Sequence, residues 1–243
     1  MTSISTGFTT YSVNSFKTVE TGRTATVTSA TTTNVGKSAG AKASGNDFSK
    51  PFSEVALDAR SVLDAGYKEL SNDTADTAHA TGAKRDLYSI LDTLDRRSLY
   101  AIASNHGGLF SDDEVLKAKC TLGERVQEAL DPFFDDRTKA GDVAFCLAYI
   151  KYLDEAGPEE RASLKWAHAR AVAELGYERN MRDQGIVGDN VDSGNPVVAL
   201  IRQAHAEWTD PSRRLDEMPS WLKALDLCRY LNDDPDKRFS WKV

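Results

Sequence analysis

Beyond residue 50, hydrophobic positions recur at intervals of three and four, the period of helices that bury one face, and nowhere settle into the alternation of strands. Phe52, Val55, Ala56, Ala59, Val62, Leu63, Gly66, Tyr67 and Leu70 keep that period in one run, which Ser71-Asn72-Asp73 is expected to end. A polar loop over 72–83 follows, and then Leu87, Tyr88, Leu91 and Leu94 mark a second helix. Leu99, Ile102 and Ala103 share the face of a third, capped by Asp95. Val115, Leu116, Leu122, Val126, Ala129 and Leu130 carry a fourth to Asp131-Pro132. Val143, Cys146, Leu147, Ile150 and Leu153 form a fifth, closed by Gly157-Pro158.

Pro158 suits the first turn of a helix, where Glu159 and Glu160 meet the positive end of its dipole. That sixth helix is expected to run on through Leu164, Ala167, Ala171, Val172 and Leu175. Asn195-Pro196 opens another with Val197, Leu200, Ile201, Ala204 and Trp208, and Pro219 a last one with Trp221, Leu222, Leu225, Cys228 and Leu231. The pattern predicts an all-α fold: an irregular multi-helix bundle or array of seven to eight helices, in a domain spanning 48–243.

Ahead of it, residues 1–47 are dominated by Ser, Thr, Ala and Gly, too poor in apolar side chains to offset chain entropy, and are expected to form a disordered arm. Gly36-Lys37-Ser38 matches the end of a phosphate-binding loop, but Thr31 occupies the place of its leading glycine and no buried strand precedes it. In composition the arm resembles the N-terminal export regions of type III and flagellar secretion substrates, being rich in Ser and Thr and nearly free of acidic residues. That resemblance implies an exported protein, secreted without a cleaved signal peptide.

The net charge of −7 is carried by the helical part, since Lys17, Arg23, Lys37 and Lys42 face only Glu20 in residues 1–46. A nucleic-acid platform is not expected, because phosphate binding needs clustered cations on the folded surface. No apolar stretch reaches the length of a membrane span, and no charged-then-apolar leader is visible, so the cytoplasm is the default address. Cys120, Cys146 and Cys228 are odd in number and widely spaced, and read as small buried hydrophobes.

Chemistry concentrates at the corner 95–122, where Gly107-Gly108 separates two helices. Ser111 with Glu114 three residues on has the form of a capping box, strengthened by Asp112 and Asp113. Over Ala103 to Glu114 the segment also resembles the twelve-residue calcium loop of an EF-hand: Gly108 falls on the sixth position, Phe110 on the apolar eighth and Glu114 on the bidentate twelfth. The resemblance implies Asn105 and Glu114 as metal ligands and calcium as the ion. Ala103 and Gly107 stand where two further side-chain ligands belong, and the capping box explains Glu114 without any cofactor.

His79, His106, His168 and His205 show no zinc-binding or metalloprotease spacing. His168 and His205 lie beside Trp166 and Trp208, so a helical enzyme with a pocket near either, paired with a carboxylate, is one alternative. The segment Arg182 to Gly194 is the longest irregular stretch, expected to be a flexible surface loop and a secondary candidate site. With catalytic signatures missing, the leading expectation is a non-enzymatic interaction or regulatory protein. Its helical surface, with Trp208, Trp221, Phe239 and Trp241, would receive a protein partner while the arm serves as tether.

Overall fold

The computed structural model describes residues 48–76, 86–134 and 138–233; the arm 1–47, His79, Phe239 and Trp241 lie outside the described residues. Among the described residues the chain is all-α, with nine α-helices and no strand. In order these are α1 (Phe52–Asp76), α2 (Leu87–Leu91), α3 (Arg96–Ala103), α4 (Asp112–Leu130), α5 (Lys139–Asp154), α6 (Pro158–Arg161), α7 (Leu164–Asp183), α8 (Pro196–Glu207) and α9 (Pro219–Asp233). None of them is long and apolar enough to cross a membrane.

Several boundaries differ from the sequence expectation: α2 stops at Leu91, short of Leu94, and Trp208 is the C-cap of α8 rather than part of it. α1 runs past Ser71-Asn72-Asp73 to Asp76, because that stretch holds neither a proline to block the hydrogen-bond ladder nor a glycine to leave it. The expected sixth helix is two. Ser163 adopts an extended backbone (φ −84°, ψ 144°) and its hydroxyl accepts from the Trp166 amide at 3.1 Å, so α7 starts from a cap of its own. The single turn α6 is left as a separate piece that aims Glu159 and Glu160 at α3.

The helices enclose two apolar clusters. α1 to α4 gather around Leu63, Leu91, Leu99 and Ile102, all fully buried, with Ala56, Ala59 and Ala118 allowing close approach and Phe110 sealing the corner. α5, α7, α8 and α9 enclose Ile150, Trp166, Ala171, Val198, Ile201, Ala224, Cys228 and Leu231. Each such leucine or isoleucine contributes about 1.5–3 kcal/mol on leaving water. Leu116, Leu147 and Leu222, although on predicted stripes, stay exposed.

Where the two clusters meet, α3 holds α6 through two adjacent ion pairs. Arg96 binds Glu160 with both N–H groups, at 2.8 and 2.7 Å, and its guanidinium lies 4.1 Å from the centre of the Tyr152 ring. Arg97 binds Glu159 at 3.0 and 2.6 Å while donating to the Lys50 carbonyl, with Phe48 and Phe52 beside it. The planar fork of arginine matches a carboxylate in two contacts, which makes these pairs directional as well as attractive.

Candidate functional site

The corner between α3 and α4 is organised by Glu114, a carboxylate only 4% exposed. Gly107 and Gly108 turn the chain at φ 70° and 68°, and Asn105 joins them in the left-handed region at φ 49°. The capping box is complete: the Ser111 hydroxyl accepts from the Glu114 amide and Glu114 Oε2 accepts from the Ser111 amide at 2.7 Å. The same carboxylate reaches beyond its own helix. Arg60 of α1 donates to both oxygens, at 2.9 and 3.0 Å, and the Tyr67 hydroxyl donates to Oε1 at 3.0 Å.

Burial pushes the Glu114 carboxyl up, but the Ser111 amide, the Arg60 guanidinium and the two hydroxyls together hold it below its ordinary value. Tyr67 is pushed up to about 12, by burial first and then by the neighbouring carboxylate. The two residues named by the EF-hand resemblance are thus both engaged by the protein. Glu114 is bound by Arg60, Tyr67 and Ser111, and the Asn105 side-chain oxygen accepts from the Phe110 amide at 3.0 Å. A cation would compete with these donors for the same lone pairs. Among the described residues no three His, Cys, Asp or Glu side chains gather as a metal site.

On the other side of α1 an open apolar groove of about 420 Å³ lies against α2. Val62, Gly66 and Leu70 follow one another at four-residue steps along its α1 wall beside Ala65 and Glu69, and Ser89, Ile90 and Thr93 line it from the α2 side. Gly66 makes this contact possible: a Cβ there would lie 2.5 Å from Ile90 Cδ1. Val62 in this wall is 38% exposed.

His168 and His205, separate in the sequence, meet. Their rings stack at 5.8 Å between centroids and 12° between planes, and Trp221 sets its ring against His168 at 5.1 Å, nearly perpendicular. Nothing accepts from or donates to His205 Nε2, although that atom is buried. Each imidazole therefore faces another ring where the enzyme alternative needs a carboxylate. Stacked rings keep their in-plane lone pairs in separate, nearly parallel planes, a poor start for a shared metal.

The 182–194 loop, expected to be flexible, is tied down by buried side chains of α7. Tyr177 accepts from the Asp189 amide, Arg170 donates to the Val191 carbonyl and Glu174 accepts from the Ser193 amide, each at 3.0 Å. Arg170 and Glu174 are themselves 3% and 0% exposed and paired to each other, with Asp154 and Arg202 completing the network. The loop lifts Ile186 and Val187 into solvent above a small cavity of about 220 Å³ beside Tyr177, Met181 and Arg182. The signal was legible: Arg170 and Glu174 fall within the buried stripe Trp166, Ala167, Ala171, Tyr177, and charges there need partners from another element.

Of the aromatic residues expected to meet a partner, Trp208 is 40% exposed, with its indole N–H donating to the Arg213 carbonyl, while Trp221 is half-buried against His168. No protein-family model, curated protein or solved structure matches the chain.

Proposed function

We propose that this is a non-enzymatic helical interaction protein, in which the groove between α1 and α2 receives apolar side chains of a partner helix and residues 1–47 serve as tether. The observation that carries the reading is the groove itself. Val62, Ala65, Gly66, Leu70 and Ile90 give it an apolar wall, with Ile90 packed directly on Gly66, and Glu69, Ser89 and Thr93 add polar groups to the lining. Apolar anchors entering such a trough, with polar contacts at its edge, are how grooves recognise amphipathic helices.

A photo-crosslinking amino acid placed at Val62, in cells that naturally make the protein, is expected to trap a discrete partner that the same probe at Lys119 on α4 does not. The purified partner should then bind Val62→Glu at least about tenfold more weakly than wild type, a difference of about 1.4 kcal/mol. Equal labelling from both positions, or unchanged affinity of the variant, would reject the reading.

A second reading rests on the composition of residues 1–47, nearly devoid of acidic side chains and dense in Ser and Thr. As an export signal, this segment fused to a reporter should carry it out of cells with an active type III or flagellar apparatus. Complete retention of the reporter counts against it.

A further inference from the structure

The contact of α7, α8 and α9 contains two imidazoles packed where protons are unwelcome. His168 comes from the first half of α7, His205 from the last turn of α8, and Trp221 from the first turn of α9. The rings stack at 5.8 Å, Trp221 closes on His168 edge-on, and the buried Nε2 of His205 has no partner. A neutral pair fits this surrounding. One proton on the pair places a cation in a half-buried ring cluster, and a second places two like charges side by side.

We propose that the His168–His205–Trp221 cluster is an acid-sensitive latch: neutral rings hold α9 on α7 and α8, and proton uptake releases it. Release would uncover the apolar face of α9, on which Ala224, Cys228 and Leu231 are buried.

The charged groups around the cluster leave the imidazoles uncompensated. On α7, Lys165 stands one turn from His168 and is exposed; on α8, Arg202 stands one turn from His205 and is held by Glu174 and Glu178. Also on α8, Glu207 caps α9, accepting from the Ser220 amide at 3.0 Å and from its hydroxyl at 2.6 Å. Before α9, Glu217 accepts from the Arg214 amide, and Lys223 on α9 is exposed. The end of α8 favours a cation at His205 through the helix dipole, while burial opposes it. Both imidazoles are held below their ordinary value of 6.5, His168 by burial and His205 by burial and then by His168.

The sign follows from linkage. The unfolded or detached state takes up protons first as pH falls, so the attachment of α9 is at full strength above the ordinary imidazole value. It weakens as pH drops toward the lower values of the folded pair.

The test uses the full chain at about pH 7.5 and about pH 5, the range over which an ordinary imidazole titrates. Hydrogen exchange, corrected for its intrinsic pH dependence, should speed up severalfold in α9 at the lower pH and stay level in α3. In His168→Phe/His205→Leu the acceleration should vanish. Ring proton resonances of the wild-type protein give a readout independent of any variant: two histidines should titrate below 6.5, and His205 should move up in His168→Gln. Titration of both rings at or above 6.5, or the same α9 acceleration in wild type and double variant, would overturn the latch.

Discussion

Gly66 of α1 lies so close to Ile90 of α2 that a methyl group at position 66 would meet Cδ1, Cγ1 and Cγ2 of that isoleucine at 2.5, 2.7 and 3.0 Å. Glycine costs helix propensity inside α1, so its presence there serves the approach of the two helices. Gly66→Ala should destabilise the protein by about 1–2 kcal/mol, the steric cost exceeding the gain in propensity. Gly66→Ala/Ile90→Val should recover part of the loss, because one of the clashing carbons is removed. Denaturant midpoints of the three proteins decide this.

Glu114→Gln keeps the shape of the corner but removes the buried one of the two carboxylates that pair with Arg60, leaving it only the exposed Asp64. Because Arg60 is only partly exposed, a loss of about 2–3 kcal/mol is expected in urea unfolding at neutral pH. The carboxyl is held below its ordinary 4.5, so the folded state gains from its ionisation. That gain is complete above the unfolded value and disappears as pH falls through the folded one. The difference between wild type and Glu114→Gln should therefore shrink as pH drops below about 4.5.

Calcium titrated calorimetrically into the wild-type chain should give no heat at micromolar to millimolar concentrations. Arg60, Tyr67 and Ser111 already occupy the Glu114 oxygens, and the Phe110 amide occupies Asn105. A saturable heat lost in Glu114→Gln would show that the cation displaces Arg60 from that carboxylate.

Thr121 is 1% exposed on α4, and its hydroxyl has no hydrogen-bond partner. Thr121→Val exchanges that hydroxyl for a methyl of nearly the same shape and should raise stability by about 1 kcal/mol, visible as a higher Tm. An unchanged or lower Tm would mean that the hydroxyl finds a partner in solution.

The pairs Arg96–Glu160 and Arg97–Glu159 are the charged link between the two apolar clusters, with all four side chains less than a fifth exposed. Glu159→Gln should cost about 2–3 kcal/mol by leaving the largely buried Arg97 without its carboxylate. A double-mutant cycle with Arg97→Gln should give a coupling of about 1 kcal/mol or more, and a near-zero coupling would reduce the pair to packing.

Much of the helix plan was readable because its causes are local. The stripe from Phe52 to Leu70, the Ser111–Glu114 capping box and the Gly107-Gly108 turn depend on residues a few positions apart, and each stands where its spacing placed it. The split at Ser163 was missed because Leu164, Ala167 and Ala171 continue the period without interruption, while a serine cap acts only through its own backbone angle. The hydrogen bonds that Arg170, Glu174 and Tyr177 make to the 182–194 loop were not anticipated, because those side chains sit on the helix that precedes it and their partners are backbone groups of the loop.

The amino-acid sequence by itself therefore determined the all-α character, most of the helices and the caps at Asp95, Ser111 and Asn195, since backbone hydrogen bonds and side-chain periodicity act over one or two turns. Only the tertiary structure decided what each stripe faces. Arg60 meets Glu114 across 54 positions, Arg97 meets Glu159 across 62, and His168 lies against His205. Many packings of amphipathic helices satisfy the same stripes. Which charges and rings meet depends on the one packing that fills both cores.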